Sequence, residues 1–126
     1  MKSMLKSLAF AGFMSLAFAT PAAFAHHSFA VFDFKIETPF EGIVDSVKFR
    51  NPHIALTLKV KGNDGKEKLV EFIQGAPANM LVRNGLRPEM ILPGTHIFTV
   101  GSPLIEDPTK FFLRTIKLDD GSEFKN

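Results

Sequence analysis

Residues 53–74 contain the pattern that most restricts how this chain can fold, because two apolar runs flank a short turn. In HIALTLKVK at 53–61, every second residue is apolar, which is the period of a strand that buries one face. Its apolar positions are Ile54, Leu56, Leu58 and Val60. The turn GNDGK contains Asp64-Gly65, a pair that hairpins favour because their turns need positive φ angles. The run EKLVEFIQ at 67–74 is therefore predicted to return as an antiparallel strand.

Three further strands and one helix are predicted around this hairpin. FEGIVDSVKF at 40–49 alternates loosely, and Gly42 marks a candidate bulge or bend within it. After the hairpin, a short helix is predicted over 77–84, with Pro77 as its first residue and Gly85 as a C-terminal cap. The last two predicted strands span 95–101 and 110–118.

This order of elements predicts the fold class. Three strands, a short helix and two more strands are typical of an all-β (β-rich α+β) domain built as a five-stranded OB-like small barrel, with the one short helix between strands 3 and 4. Such barrels close or nearly close their sheet, which protects strand edges from pairing with other chains. An open antiparallel sheet with the helix packed on it is the alternative.

The first 25 residues have the form of an export signal. Lys2 and Lys6 give a positive start, and an almost wholly apolar run spans 8–18. The residues Ala-Phe-Ala at 23–25 then have the small-x-small form of a cleavage site. The apolar run is about ten residues long, whereas a membrane-spanning helix needs roughly 20. We therefore expect a cleaved signal peptide at 1–25, a periplasmic location, and no transmembrane segment after signal removal.

Composition narrows the functional classes. Without Lys2 and Lys6, the segment 26–126 holds 13 basic and 13 acidic residues, so it has no net positive field to attract nucleic acid. Its length fits a single OB-like β-barrel domain with one core. Because the chain has no Cys, disulfides, thiolate metal sites and cysteine nucleophiles are excluded.

Several stretches of the chain together resemble one known family. They are AHHSFA at 25–30, FRNPHI at 49–54, GAPANMLVRNGL at 75–86 and LPGTHIFTVGSP at 92–103. Over nearly all of its predicted mature part, the chain resembles domain-of-unknown-function family 6152, a group of small secreted bacterial proteins. The resemblance implies a periplasmic barrel without an assigned activity. It points to His26, His27, Asn51, Pro52 and His53, whereas the tryptophan expected near Leu86 is missing.

The histidine pair after the predicted cleavage site is the main functional candidate. If His26 becomes the first residue, it carries a free amine beside its imidazole, and both nitrogens can chelate copper. A further nitrogen completes a T-shaped site of the nitrogen-rich kind that suits Cu(II). Either His27 or His53 is expected to supply that nitrogen. The predicted function is therefore secreted or periplasmic copper binding, with His26, His27 and His53 as metal ligands and with no catalytic residues.

Less specific interpretations stay open for these histidines. The pair His26-His27 is also consistent with a solvated tail, and His53 with a turn that is held by a backbone hydrogen bond. His96 alternates with apolar strand residues, which favours a hydrogen-bonded core or rim position over metal ligation. Zinc and calcium are disfavoured, because structural zinc sites commonly need thiolates and the acidic residues are too scattered for a calcium loop.

A metal-free binding module is the alternative function. The first three predicted strands carry six basic residues around Phe49, namely Lys48, Arg50, Lys59, Lys61, Lys66 and Lys68. Such a patch can bind a polyanion or polysaccharide, but it is also typical of a solvated strand exterior. In this alternative the barrel binds an envelope partner or a small ligand through its loops. No nucleophile elbow, phosphate-binding glycine loop or dinucleotide fingerprint is present, so neither an enzyme nor a nucleic-acid partner is expected.

Overall fold

The computed structural model describes residues 29–125, and this part of the chain consists mainly of β-strands. The strands are β1 (Thr38–Lys48), β2 (Ala55–Lys61), β3 (Glu67–Gln74), β4 (His96–Pro103), β5 (Lys110–Leu118) and β6 (Glu123–Lys125). Helix α1 (Ala78–Arg83) and a 3-10 segment (Pro88–Ile91) lie between β3 and β4. Neither of these two helical segments is long and apolar enough to cross a membrane.

The first five strands close into a barrel. β1 pairs antiparallel with both β2 and β4, β2 pairs with β3, and β4 pairs with β5. The closing contact is parallel, and it brings Phe72 of β3 opposite Phe111 of β5. The predicted OB-like barrel with one helix between β3 and β4 is therefore confirmed. The pairing of β3 with β5 rules out the open-sheet alternative.

The element boundaries mostly follow local sequence signals. α1 begins directly after Pro77, and the chain leaves the helix through Gly85, which has a φ of +96°. In the hairpin between β2 and β3, Gly65 has a φ of +75°. β6 has no counterpart among the predicted strands, because its three residues are too few to show an alternation.

One hydrophobic core fills the barrel. Inward-facing residues of β2 and β3 meet in register, as Leu56 and Phe72 do. Phe40 of β1 stands edge-on to Phe72 and Phe111 at ring-centroid distances of 5.4 and 4.8 Å, so one ring joins β1 to the seam between β3 and β5. Other fully buried side chains are Ile54, Leu58, Leu81, Leu86, Ile91 and Ile97.

Gly42 allows β1 and β2 to approach each other closely. A Cβ atom built at this position would lie 2.1 Å from the carbonyl oxygen of Lys59, a distance that no side chain tolerates. The register irregularity of β1 lies slightly further along, between Val44 and Ser46. The bulge predicted around Gly42 is thus displaced along the strand, and the glycine itself serves the close approach of two backbones.

Residues 29–37 are attached to the barrel before β1 begins. Phe32 is buried and forms an isolated β-bridge with Leu104, just after β4. The Arg114 guanidinium of β5 donates a hydrogen bond to the Phe34 carbonyl and forms an ion pair with Glu37, each at 3.0 Å. The start of the described chain is therefore attached to residues of β5 and to the segment just after β4.

Candidate functional site

His53 lies in the loop between β1 and β2, two residues before β2 begins. Its Nδ1 is 2.9 Å from the carbonyl oxygen of Gly75. Since a carbonyl oxygen only accepts hydrogen bonds, Nδ1 carries the proton and donates it. In the neutral ring, Nε2 then retains its lone pair, which is the state in which histidine binds a metal ion. The Nε2 atom lies 3.5 Å from the Gln74 side-chain nitrogen.

The loop that carries His53 is attached to the connection between β3 and α1. The Asn51–Pro52 peptide bond in this loop is cis. The Asn51 Oδ1 atom accepts a hydrogen bond from the Asn79 backbone N–H, in the first turn of α1, at 3.1 Å. Directly after His53, the Ile54 N–H donates to the Ala76 carbonyl at 3.0 Å. Contacts on both sides of His53 therefore fix its backbone, and the Asn51 side chain has a structural role.

The ring of Phe29, the first described residue, lies against the ring of His53. The two ring centroids are 5.8 Å apart and the rings are almost perpendicular, at 87°. Phe29 also stands edge-on to Phe112 of β5 at 5.8 Å. His26 and His27 lie outside the described residues, so their role as ligands stays a prediction. The first described residue thus contacts His53, the third histidine predicted as a ligand.

His96, in contrast, lies between two carboxylates. Its Nδ1 is 2.6 Å from Asp119 Oδ1 and its Nε2 is 3.1 Å from Glu41 Oε1. The hydrogen bond to Asp119 raises the pKa of His96 above its ordinary value; burial opposes this shift, and Glu41 adds to it. His96 is therefore a hydrogen-bonded rim residue, with both ring nitrogens engaged. Among residues 29–125, no group of three or more His, Asp or Glu side chains is arranged to hold a metal ion.

The six basic residues of the first three strands do not form one continuous patch. Lys59 is paired with Asp45 at 3.3 Å, and two other lysines flank the hairpin turn. Lys68 is exposed but lies on the same face of β3 as Val70, opposite to the face that carries Glu71. Lys48 and Arg50 lie at the opposite end of the hairpin strands, where they line a groove of about 230 Å³. The arrangement therefore offers one local cationic site and no basic stripe along the sheet.

The residues that orient His53 are not apparent from the sequence. Gly75 and Gln74 lie 22 and 21 residues further along the chain, and nothing in the GAP stretch marks a hydrogen-bond acceptor for a histidine. A packing signal does exist at Gly75, where a Cβ atom would lie 3.1 Å from the Ile54 side chain and 3.2 Å from that of Leu113. A side chain at this position would therefore require these neighbours to shift slightly, because the chain just after β3 packs closely against the core.

Comparison with known proteins places the chain in a family. The searches of curated proteins and of solved structures give no match. A family model described as a family of unknown function (DUF6152) matches residues 14–110 of the 126. The matched part contains β1 to β4 and α1, together with the loop that carries His53. The chain therefore belongs to this family of unknown function.

Proposed function

We propose that this protein is exported to the periplasm, loses residues 1–25, and binds Cu(II) at its new amino terminus. His26 supplies its amine and one ring nitrogen, and His53 supplies the third nitrogen through Nε2. The observation that carries the proposal is the contact between the Phe29 and His53 rings, whose centroids are 5.8 Å apart. This contact joins the start of the described chain to the distal histidine.

Covalent reach is the first support for this site. His26 precedes Phe29 by three residues, and an extended chain spans at most about 3.6 Å per residue, so the His26 amine lies within roughly 12 Å of the Phe29 Cα atom. The Phe29 ring itself touches His53. The segment 26–29 is therefore long enough for the His26 amine to reach an ion bound at His53 Nε2.

The hydrogen bonding of His53 is the second support. Donation from Nδ1 to a backbone carbonyl is the usual arrangement in metal-binding histidines, because it fixes the tautomer and the ring orientation. The separation of 3.5 Å between Nε2 and the Gln74 side-chain nitrogen is long for a hydrogen bond, so an incoming ion replaces only a weak contact. The ring is thus oriented before the metal binds.

The donor set favours copper among the common metal ions. One amine and two imidazoles form a nitrogen-rich site without thiolates, and tetragonal nitrogen coordination suits Cu(II). The amine, whose ordinary pKa is about 8, must release its proton to bind, so affinity should increase as the pH rises toward 8. An exposed chelate at a chain terminus fits copper handling or delivery better than catalytic turnover.

Two measurements test the proposal. The mass of the exported protein establishes the mature terminus, which should be His26; any other terminus contradicts the site. Four mature proteins are then titrated with Cu(II) against a chromophoric chelator: the one that begins at His26, the same protein with its terminal amine acetylated, His53→Ala, and His96→Ala. The last is the matched control, because His96 is bound to Asp119 and Glu41 outside the proposed site.

We expect tight one-to-one binding by the unmodified protein and by His96→Ala. Acetylation and His53→Ala should each weaken binding by about tenfold or more, since each removes a nitrogen ligand from the ion. Equal, weak binding by all four proteins contradicts the proposal. A loss caused by acetylation but not by His53→Ala would instead assign the third nitrogen to His27.

A further inference from the structure

We infer that the groove on the outer face of β1, β2 and β3 binds the phosphate group of a small phosphate monoester. The groove encloses about 230 Å³ and lies at the end of these strands that is remote from their hairpin. It is formed by residues 29–125 alone, and the inference does not depend on copper binding.

Strand register explains why polar side chains converge in this groove. Ser46 is opposite Thr57 and Thr57 is opposite Glu71, so these three side chains share one face of the sheet. The alternate residues, Leu56 and Phe72, face the core. Lys48, two residues after Ser46, belongs to the outer face as well, and Arg50 follows at the end of β1.

Among residues 29–125, the two cations of the groove have no anionic partner, unlike four other basic residues of the barrel. Lys59, Lys110, Lys125 and Arg114 each form an ion pair with a carboxylate. Within the described range, the side chains of Lys48 and Arg50 have neither an ion pair nor a hydrogen bond, and the Ser46 and Thr57 hydroxyls have no hydrogen-bond partner. Four donor groups of one groove are thus available to a ligand.

The number and type of donors favour a phosphate group. A guanidinium and an ammonium together with two hydroxyls match the several acceptor oxygens of a tetrahedral dianion, whereas one guanidinium already satisfies a carboxylate. The groove volume of about 230 Å³ leaves room for a short carbon chain beside the phosphate, next to the half-exposed Ile73. Charge and size therefore both fit a small phosphate monoester.

Glu71 gives the groove selectivity. Its carboxylate lines the side formed by β3 and has no ion-pair partner among residues 29–125. It repels a second anionic group and accepts hydrogen bonds from hydroxyl groups. A ligand with one phosphate and a neighbouring hydroxyl therefore satisfies both sides of the groove, as glycerol 3-phosphate does.

The experiment uses the metal-free mature protein and follows its backbone amide signals by NMR during titration with glycerol 3-phosphate. We expect saturable shifts at Ser46, Lys48 and Thr57. Lys48→Gln and Arg50→Gln should each lower the affinity by about tenfold or more, as expected for the loss of a charge-assisted hydrogen bond. Lys61→Gln is the matched control, because it removes the same charge from β2 near the hairpin, and it should leave the affinity unchanged within about twofold.

Two further variants distinguish specific binding in the groove from non-specific electrostatic attraction. Glu71→Gln should strengthen the binding of inorganic phosphate and reduce the preference for glycerol 3-phosphate over it. Glu67→Gln makes the same change of net charge at the other end of β3. It should alter neither the affinity for inorganic phosphate nor the preference for glycerol 3-phosphate. His53→Ala should bind glycerol 3-phosphate normally, because the copper ligands lie outside the groove.

Vesicles distinguish a free phosphate ester from a lipid headgroup. Binding to phosphatidylglycerol vesicles but not to glycerol 3-phosphate would overturn the inference of a small soluble ligand. Equal losses in Lys48→Gln and Lys61→Gln, or shifts without saturation, would overturn the site itself. Saturable binding that only Lys48→Gln and Arg50→Gln weaken supports it, and thermal unfolding of each variant shows that the barrel is intact.

Discussion

Replacement of Phe29 by alanine should weaken copper binding while leaving the barrel folded. In the structure Phe29 makes two edge-on ring contacts, one with His53 and one with Phe112, and both have centroid distances of 5.8 Å. The following residues keep their own attachments, because Phe32 is buried and Arg114 contacts the Phe34 carbonyl. The substitution therefore releases the start of the chain without affecting the core.

The size of the effect follows from these two contacts. An edge-on aromatic pair contributes about 0.5–1.5 kcal/mol beyond the burial of area, so two pairs give roughly 1–3 kcal/mol. Phe29 is 41 % exposed, which places the expected value in the lower half of this range. In Phe29→Ala these contacts no longer hold the start of the chain against the barrel, so the free energy of copper binding is reduced by the same amount. Since about 1.4 kcal/mol is tenfold in affinity, we expect a loss of roughly 5- to 30-fold.

The assay is a competition titration with Cu(II), and Phe34→Ala is the matched control. Phe34 has nearly the same exposure, 39 %, and also contacts Phe112, but it has no contact with His53. Phe34→Ala should therefore bind copper as the unmodified protein does. Unchanged affinity in Phe29→Ala would refute the idea that this ring positions the amino terminus. An equal loss in Phe34→Ala would show that the effect is general loosening of the segment.

Two further predictions concern the barrel itself. Gly42→Ala should lower the free energy of unfolding by about 3 kcal/mol, because the new Cβ atom forces the backbone of Lys59 away and disrupts both packing and the β1–β2 hydrogen bonds. At Gly65 the φ is +75°, and a Cβ atom would meet no atom within 4 Å outside its chain neighbours, so Gly65→Ala should lower the free energy of unfolding by only about 1 kcal/mol. Urea unfolding curves with equal midpoints for the two variants would contradict this account. The stabilisation that His96 gains from Asp119 is present below its ordinary pKa of about 6.5 and is lost as the pH rises through the raised pKa of the folded state. The stability difference between the unmodified protein and His96→Gln should therefore shrink between pH 6 and pH 9, and a constant difference would show that protonation of this ring does not stabilise the fold.

The fold was predictable wherever a local pattern carries the information. The alternation at 53–61 predicts β2, the Asp64-Gly65 turn predicts its hairpin, and Pro77 and Gly85 bracket the helix. The pairing of β3 with β5 is different, because it joins segments almost 40 residues apart and has no local signal. It followed only from the order of elements typical of OB-like barrels. The short strand β6 offered no pattern at all.

The sequence indicates His53 as a candidate ligand, but it does not indicate the contacts that surround this residue. The Asn-Pro-His turn identifies His53, yet the acceptor for its Nδ1 comes from Gly75 and its ring neighbour from Phe29, both distant in sequence. The basic residues gave a misleading impression of a single patch, since strand alternation and register separate Lys68 and Lys48. Which side chains meet depends on long-range register, and composition carries little information about register.

Electron paramagnetic resonance of the mature protein, loaded with one equivalent of Cu(II), tests the central claim most directly. Nitrogen couplings in the spectrum count the ligands, and imidazole nitrogens have a pulsed-resonance signature of their own. The proposal predicts one amine and two imidazoles, with one imidazole lost in His53→Ala and the amine lost when the amino terminus is acetylated. Spectra of both variants that match the unmodified protein would contradict copper binding at the amino terminus.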